Sequence, residues 1–189
     1  MATLFTADTH FSDDPIRRVC RRPFETVDDM NRTMVELWNA RVRPGDTVWH
    51  LGDFSMHGKA AEVAGIFAAL NGRKLLVRGN HDRKRVLDLP WAAPPVDIAD
   101  VSVDGARLIL CHYGMRSWKG AFRGTLHLFG HTHDLLPPTR LSCDVGADSW
   151  AFAPITLDQI HSRLAGVTEE PEEIRLARAR ARAAERGEG

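Results

Sequence analysis

Apolar residues gather in short runs along the chain, at 3–8, 46–51, 74–78, 107–111 and 126–129, rich in Leu, Val, Ile, Phe and Trp. Runs this short and this apolar predict buried strands. Between them the spacing changes to that of helices. In VDDMNRTMVELWNARV (27–42), Val27, Met30, Met34, Leu37, Trp38 and the stem of Arg41 share one helical face, and Thr26 is placed to cap the N-terminus. KAAEVAGIFAALNG (59–72) predicts a second helix closed by Asn71 and Gly72. PITLDQIHSRLAG (154–166) reads as a last strand running into a helix that ends at Gly166. Strands alternating with helices in the first half predict α/β layering. The later segments 96–103, 107–111, 126–129 and 140–145 follow one another with little helix between them, which predicts a second and more antiparallel sheet.

Composition narrows this without redirecting it. A chain of 189 residues suits one domain. That domain is expected over 1–166, followed by a tail over 167–189 whose Glu, Ala and Arg content predicts a solvated helix or frayed end. Lys and Arg together number 25, as do Asp and Glu, so no global field steers the protein toward nucleic acid or an anionic membrane. No apolar run is long enough to span a bilayer and Met1 to His10 lacks a secretory pattern, so a cytoplasmic location is the expectation. Cys20, Cys111 and Cys143 are odd in number and widely spaced, which predicts reduced and mostly buried thiols rather than a disulfide framework or a cysteine zinc site.

The candidate chemistry lies where the apolar runs stop. Asp8 and His10 follow the first run, Asp53 the second, Asn80, His81 and Asp82 the third, His112 the run at 107–111, and His131 and His133 the run at 126–129. In α/β sheets ligands bind at the carboxyl ends of strands, so these side chains are expected to share one cleft. Gly52, Gly79 and Gly130 each precede such a group, as sharp turns or close backbone approach require. The spacing of two in Asp8-x-His10 and His131-x-His133 lets each pair project from one face of an extended segment. Carboxylates, an amide and four imidazoles are too many for one tetrahedral ion. They suit two borderline cations of the Mn, Fe or Zn type sharing a carboxylate.

Taken together, D-x-H at Asp8/His10, GD at Gly52/Asp53, GNHD at 79–82, the lone His112 and GH-x-H at 130–133 resemble the calcineurin-like metallophosphoesterase family, in its small bacterial branch, over roughly residues 1–161. The resemblance implies a four-layer α/β/β/α sandwich. It also implies a division of ligands: Asp8, His10, Asp53 and His133 on one ion, and Asp53 as the bridge with Asn80, His112 and His131 on the other. His81 is then left for the substrate. The expected reaction is hydrolysis of a small phosphomonoester or phosphodiester, by in-line attack of a hydroxide shared between ions about 3.5 to 4 Å apart. His81 is expected to stabilise the transition state or protonate the leaving oxygen.

The protein phosphatases of the family extend GD to GD-x-x-D-R-G, whereas GDFSMHG here has Met56 and His57 at those places, so protein phosphatase activity is not expected. His57 becomes a candidate phosphate contact, the alternative being an exposed loop histidine. Tyr113, Arg116 and Trp118 follow His112 and are candidate substrate contacts, Arg116 for phosphate and Trp118 for a base or apolar wall. The other reading of Arg116 is a surface arginine paired with a carboxylate. Arg17, Arg18, Arg21 and Arg22 form a basic cluster that either overhangs the cleft or lies on a solvated face. Asp82 and Asp134 are placed to orient an imidazole, with helix capping the alternative for Asp82. His50 and His127 read as structural, His161 as exposed, and Asp144 and Asp148 take no role. The sequence HTHDLL does not continue as a metallo-β-lactamase requires. A non-catalytic protein-interaction scaffold on the same fold, or a nuclease, are the alternatives; the full ligand set opposes the first and the neutral charge the second.

Overall fold

The computed structural model describes residues 1–186. In the first sheet β1 (Thr3–Thr6), β2 (Thr47–His50) and β3 (Arg73–Leu76) pair in parallel, and β8 (Ile155–Thr156) adds to β1 antiparallel, in the order β3-β2-β1-β8. The second sheet has the order β4 (Ile98–Val103), β5 (Ala106–Cys111), β6 (Leu126–Phe129), β7 (Ser142–Asp144). Only its β4–β5 hairpin is antiparallel; β5, β6 and β7 run parallel, against the expectation of a more antiparallel sheet. The reason lies in the connections at 112–125 and 130–141, which contain no long helix yet are long enough to cross over and return the chain in the same direction.

Consecutive residues of β1 face opposite layers, as a central parallel strand requires. Leu4, with Val48 and Leu76, packs beneath α2 (Val27–Arg41), α3 (Ala60–Ala69) and α4 (Lys84–Leu87), through Met30, Met34, Trp38, Val63, Phe67 and Val86. Phe5, with Leu51 and Val77, meets Leu108, Leu110, Leu126 and Leu128 of the second sheet, and α5 (Leu157–Leu164) closes this layer with Leu157, Ile160 and Leu164. On the outer side of the second sheet, Ile109, Trp118 and Ala121 pack against Ile174 of α6 (Glu172–Glu185). The order is helices, sheet, sheet, helix. Thr26 caps α2 by accepting from the Asp29 amide at 3.0 Å, and Gly72 closes the turn after α3 with φ of 87°. The first turn of α6 is anchored: Ile174 is buried, Glu172 pairs with Arg116, and the Arg140 amide donates to the Glu169 carbonyl. Among the described residues no helix is long and apolar enough to cross a membrane.

The two sheets are stitched together at one end. Ala7 bridges Gly146 in parallel, the Ala147 amide donates to the Ala7 carbonyl at 2.9 Å, and the amides of Asp8 and Gly130 donate to the carbonyls of Gly52 and His112, each at 2.9 Å. The carboxyl ends of β1, β2, β5 and β6 therefore meet along one line, which is why polar residues far apart in the chain become neighbours.

Candidate metal centre

Tight turns after the strands aim the polar side chains. Asp8, His10, Asp53, His131 and His133 all sit in the left-handed region, with φ between 47° and 69°. For residues other than glycine such conformations cost about 1–3 kcal/mol each and persist where surrounding contacts over-determine them. Those contacts are visible. One oxygen of each carboxylate is tied to the backbone: Asp8 Oδ2 accepts from the His131 amide and Asp53 Oδ1 from the His81 amide, both at 2.8 Å. Asp82 does not orient an imidazole; its carboxylate accepts from the amides of Asp53, Phe54 and Gly79 at 2.8–2.9 Å, locking the second and third turns together.

The remaining oxygens and the imidazole nitrogens face one another. Asp8, His10 and His133 form one group, and Asp53, His112 and His131 another, with the potential ligand atoms of each within 4.8 Å. Asp53 Oδ2 joins them, 3.7 Å from His10 Nε2 and 3.3 Å from His112 Nε2. Asn80 Oδ1 lies 3.0 Å from His112 Nε2. Three rings are held by their other nitrogen: His10 Nδ1 by Asp13 at 3.0 Å, His112 Nδ1 by the Leu51 carbonyl at 2.8 Å, and His133 Nδ1 by Asp148 at 2.8 Å. Such partners present Nε2 as an acceptor toward a cation.

The donor set fits metal ions on an observation of its own. Asp8 Oδ1 and His10 Nε2 are buried and have no hydrogen-bond partner. Buried polar atoms are normally satisfied, and a cation between these two groups would satisfy both. The site brings together oxygen and imidazole groups of Asp8, His10, Asp53, Asn80, His112, His131 and His133 that could hold metal ions.

The glycines before the ligands are needed for space. A Cβ on Gly79 would land on Asp53 Oδ1, and one on Gly130 on Asp8 Oδ2. Gly130→Ala is therefore expected to displace Asp8 and weaken metal binding by about tenfold or more, with calorimetric titration of Mn²⁺ as the check.

Residues 1–153 match the profile of the calcineurin-like phosphoesterase superfamily domain. The chain belongs to this superfamily. An uncharacterized protein of Methanocaldococcus jannaschii is 31% identical over 166 residues, covering 82% of this chain and 86% of that protein. The gene 66 protein of Mycobacterium phage D29 is 26% identical over 201 residues, covering 87% and 96%. A protein of unknown function from Aquifex aeolicus shares the fold, with a TM-score of 0.66 at 23% identity over 85% of this chain and 97% of that one.

Burial and ion pairing divide the charges of this phosphoesterase. Burial pushes Asp8 up to about 8, more than the neighbouring His133 and His112 pull it down. Burial also works against a charged His133, but its bonds to Asp148 and Cys20 and the charge of Asp8 outweigh this and hold it at about 10. For Asp53, burial is outweighed by the bond and charge of His112, the His81 amide and His10, giving about 2. Asp8 and His133 thus both hold protons in the folded, metal-free protein that they would release when unfolded near neutral pH. Raised values stabilise fully below the unfolded pKa and lose that effect as pH rises through the folded value, about 8 for Asp8 and about 10 for His133. The metal-free protein should therefore lose stability as pH rises from about 6.5 to about 10, whereas below about 6.5 the buried, neutral His50, lowered to about 3, offsets Asp8. Ligation requires ionised Asp8 and neutral His133, so Mn²⁺ binding at pH 7 is expected to release more than one proton per chain. Calorimetry in buffers of different protonation enthalpy measures this; release of none would contradict it.

The expected substrate contacts separate into those at the centre and those away from it. The Tyr113 ring packs 4.9 Å from His112 and 4.8 Å from His131, is 47% exposed, and brings its hydroxyl to 3.5 Å from Asn80 Oδ1. His57 lies at the rim, Nδ1 2.9 Å from Asp13, the same carboxylate that holds His10. The Arg116 side chain is 81% exposed and pairs with Glu172, so the surface reading of it holds. Trp118 is not a wall of the cleft: it is buried against Ile109, Ala121 and Ile174, with Nε1 donating to the Thr125 carbonyl. An aromatic in a loop met a small apolar cluster on the sheet's outer face. Asp134 accepts from Ser149 Oγ at 3.0 Å rather than holding an imidazole.

The basic cluster does not overhang the cleft as a unit. Arg17 and Arg18 pair with Asp14 at the start of α1 (Asp14–Val19), and Arg22 is buried. His50 is buried, is hydrogen-bonded through Nε2 to Thr9 Oγ1 at 2.9 Å, and is kept neutral by burial, which lowers it to about 3. His127 fixes the chain after His112 through the Met115 amide, and His161 is exposed. Asp144 pins the last motif by accepting from Thr132 Oγ1 and the amides of Asp134 and Gly146. Cys111 and Cys143 are buried, whereas Cys20 is partly exposed. The residues that sequence reasoning missed are Asp13 and Asp148. Asp13 follows His10 by three and reads locally as the cap of α1, a role it also fills. Asp148 lies 15 residues from His133 with no local pattern linking them.

Proposed function

We propose that this protein is a dinuclear metal-dependent phosphoesterase acting on a small phosphomonoester or phosphodiester. The observation that carries the reading is Asp53 Oδ2, placed between His10 Nε2 and His112 Nε2 so that one carboxylate oxygen serves both ligand groups. Asp8, His10, Asp53 and His133 would hold one ion, and Asp53, Asn80, His112 and His131 the other. Bound there, the pair would supply an ionised water at neutral pH and positive charge against the phosphoryl oxygens.

The chain's own groups do the rest. His81 stands beside the centre with its ring 5.6 Å from that of His10 and belongs to neither ligand group. Its imidazole is positioned to donate a proton to the departing ester oxygen. Tyr113 walls the side of the centre bounded by His112 and His131, and His57 lines the side bounded by His10. The Tyr113 hydroxyl is placed to donate a hydrogen bond to a phosphoryl oxygen. Balanced overall charge favours a compact substrate over a polynucleotide.

The test is metal analysis of the purified protein together with hydrolysis of p-nitrophenyl phosphate and bis(p-nitrophenyl) phosphate in Mn²⁺. Two ions per chain and turnover of at least one ester are expected. Fewer than one bound ion with no turnover would favour a non-catalytic scaffold.

A further inference from the structure

One buried arginine braces half of this centre. Arg22 has a fully buried side chain, and each guanidinium nitrogen has acceptors. Nε and Nη2 donate to the two oxygens of Asp148, both at 2.8 Å. Nη2 also donates to the Asp8 carbonyl at 2.7 Å, and Nη1 to the Thr9 carbonyl at 2.8 Å and toward Met30 Sδ at 3.6 Å. The planar fork thus uses all five of its donors. Its cation also lies 5.6 Å from the centre of the Phe152 ring.

What it connects is specific. Asp148 holds His133 Nδ1, and the two carbonyls belong to the left-handed turn that carries Asp8 and leads into His10. Every ligand of the Asp8–His10–His133 group is therefore linked to Arg22 directly, through Asp148, or by the adjoining peptide. The other group has a largely different support: His112 is held by the neutral Leu51 carbonyl and Asp53 by the His81 amide and the turn that Asp82 locks, while the His131 amide donates to Asp8 Oδ2. Resting on the two-ion reading of the site, we infer that Arg22, acting through Asp148, is a positioning residue for the Asp8–His10–His133 ion in particular. The ion at Asp53–His112–His131 meets that brace only through the shared Asp53 and the His131 amide that donates to Asp8 Oδ2, and depends on it far less.

A lysine cannot replace this fork, because a compact ammonium supplies three donors without the planar bidentate match to a carboxylate. Arg22→Met, Arg22→Lys and Asp148→Asn are titrated with Mn²⁺ beside the unaltered protein, reading stoichiometry by calorimetry and coupling between the ions by electron paramagnetic resonance. Arg18→Ala, an exposed neighbour, is the control. The unaltered protein and the control are expected to bind two ions with a spin-coupled spectrum. The three variants keep one ion with at most a severalfold change in affinity, lose affinity for the other by about 10- to 100-fold, and show the six-line spectrum of isolated Mn²⁺. A merely structural role would lower the melting temperature in EDTA without selecting one ion.

Asp148→Asn preserves size and leaves Arg22 in place, so it decides the matter should the Arg22 variants fail to fold. Folded variants that hold both ions at full affinity, or lose both equally, overturn the inference while leaving the phosphoesterase reading intact. An unaltered protein that binds no Mn²⁺ removes that reading and this inference with it.

Discussion

Asp53→Asn is expected to strip both ions from the protein and bring ester hydrolysis down to background, a larger loss than any other single change in the site. Asp53 Oδ2 lies between the two groups, at 3.7 Å from His10 Nε2 and 3.3 Å from His112 Nε2, where the two-ion reading has it hold both ions. Asparagine keeps the shape and retains an oxygen for the His81 amide. It replaces the shared anionic acceptor by an NH₂ group, which donates where a cation would need an acceptor. A water whose pKa returns from about 7 to 15.7 contributes almost no hydroxide at pH 7, so a fall of at least about 10⁴ in turnover is expected. Metal content by plasma spectrometry and rates with an activated diester measure both effects. The variant should still fold, because Asp82 continues to hold the turn through the amides at 53, 54 and 79. Retention of both ions would show that Asp53 is not the bridge.

His81→Ala separates binding from turnover. The His81 amide, not its ring, holds Asp53 Oδ1, and alanine keeps that amide. Both ions should remain, while kcat falls by about 10² to 10⁴, the usual worth of a positioned general acid. The loss should depend on the leaving group. A p-nitrophenolate leaves without much help, so the deficit is smallest there and grows for alkyl esters whose oxygen must be protonated. Rates across a series of aryl and alkyl phosphodiesters measure that slope. Equal losses for all would assign His81 to charge stabilisation instead, and full activity would remove it from the reaction.

The convergence of the candidate metal-holding residues was legible because each follows an apolar run directly and is introduced by a local turn. Asp8, His10, Asp53, Asn80, His112, His131 and His133 all occupy strand ends of the same kind, and the stitching at Ala7 and Gly146 brings those ends together. What holds the ligands was less legible, because its partners are close in space and distant in sequence. Arg22 and Asp148 lie 126 residues apart, and neither residue's neighbours announce the other. Arg22 looked like one member of a basic run until burial set it apart from Arg17 and Arg18. Trp118 misled for a related reason. A tryptophan after a ligand histidine looks suited to stacking on a substrate, yet the outer face of the second sheet offered it Ile109 and Ile174, and burying that large apolar ring outweighed exposure at a rim. Ile174 itself lies in the charged C-terminal segment, where it is the buried apolar position of α6 and is joined by the Glu172–Arg116 pair. The parallel pairing of β5, β6 and β7 escaped a reading based on helix content, because the crossovers are made by the irregular segments that carry the ligands.

The most direct test of the two-ion account is anomalous diffraction from crystals grown or soaked in Mn²⁺. Two peaks about 3.5 to 4 Å apart are expected, with Asp53 coordinating both, Asp8 and His133 on one side and His112 and His131 on the other. A single peak, or two peaks of which only one contacts Asp53, would contradict it.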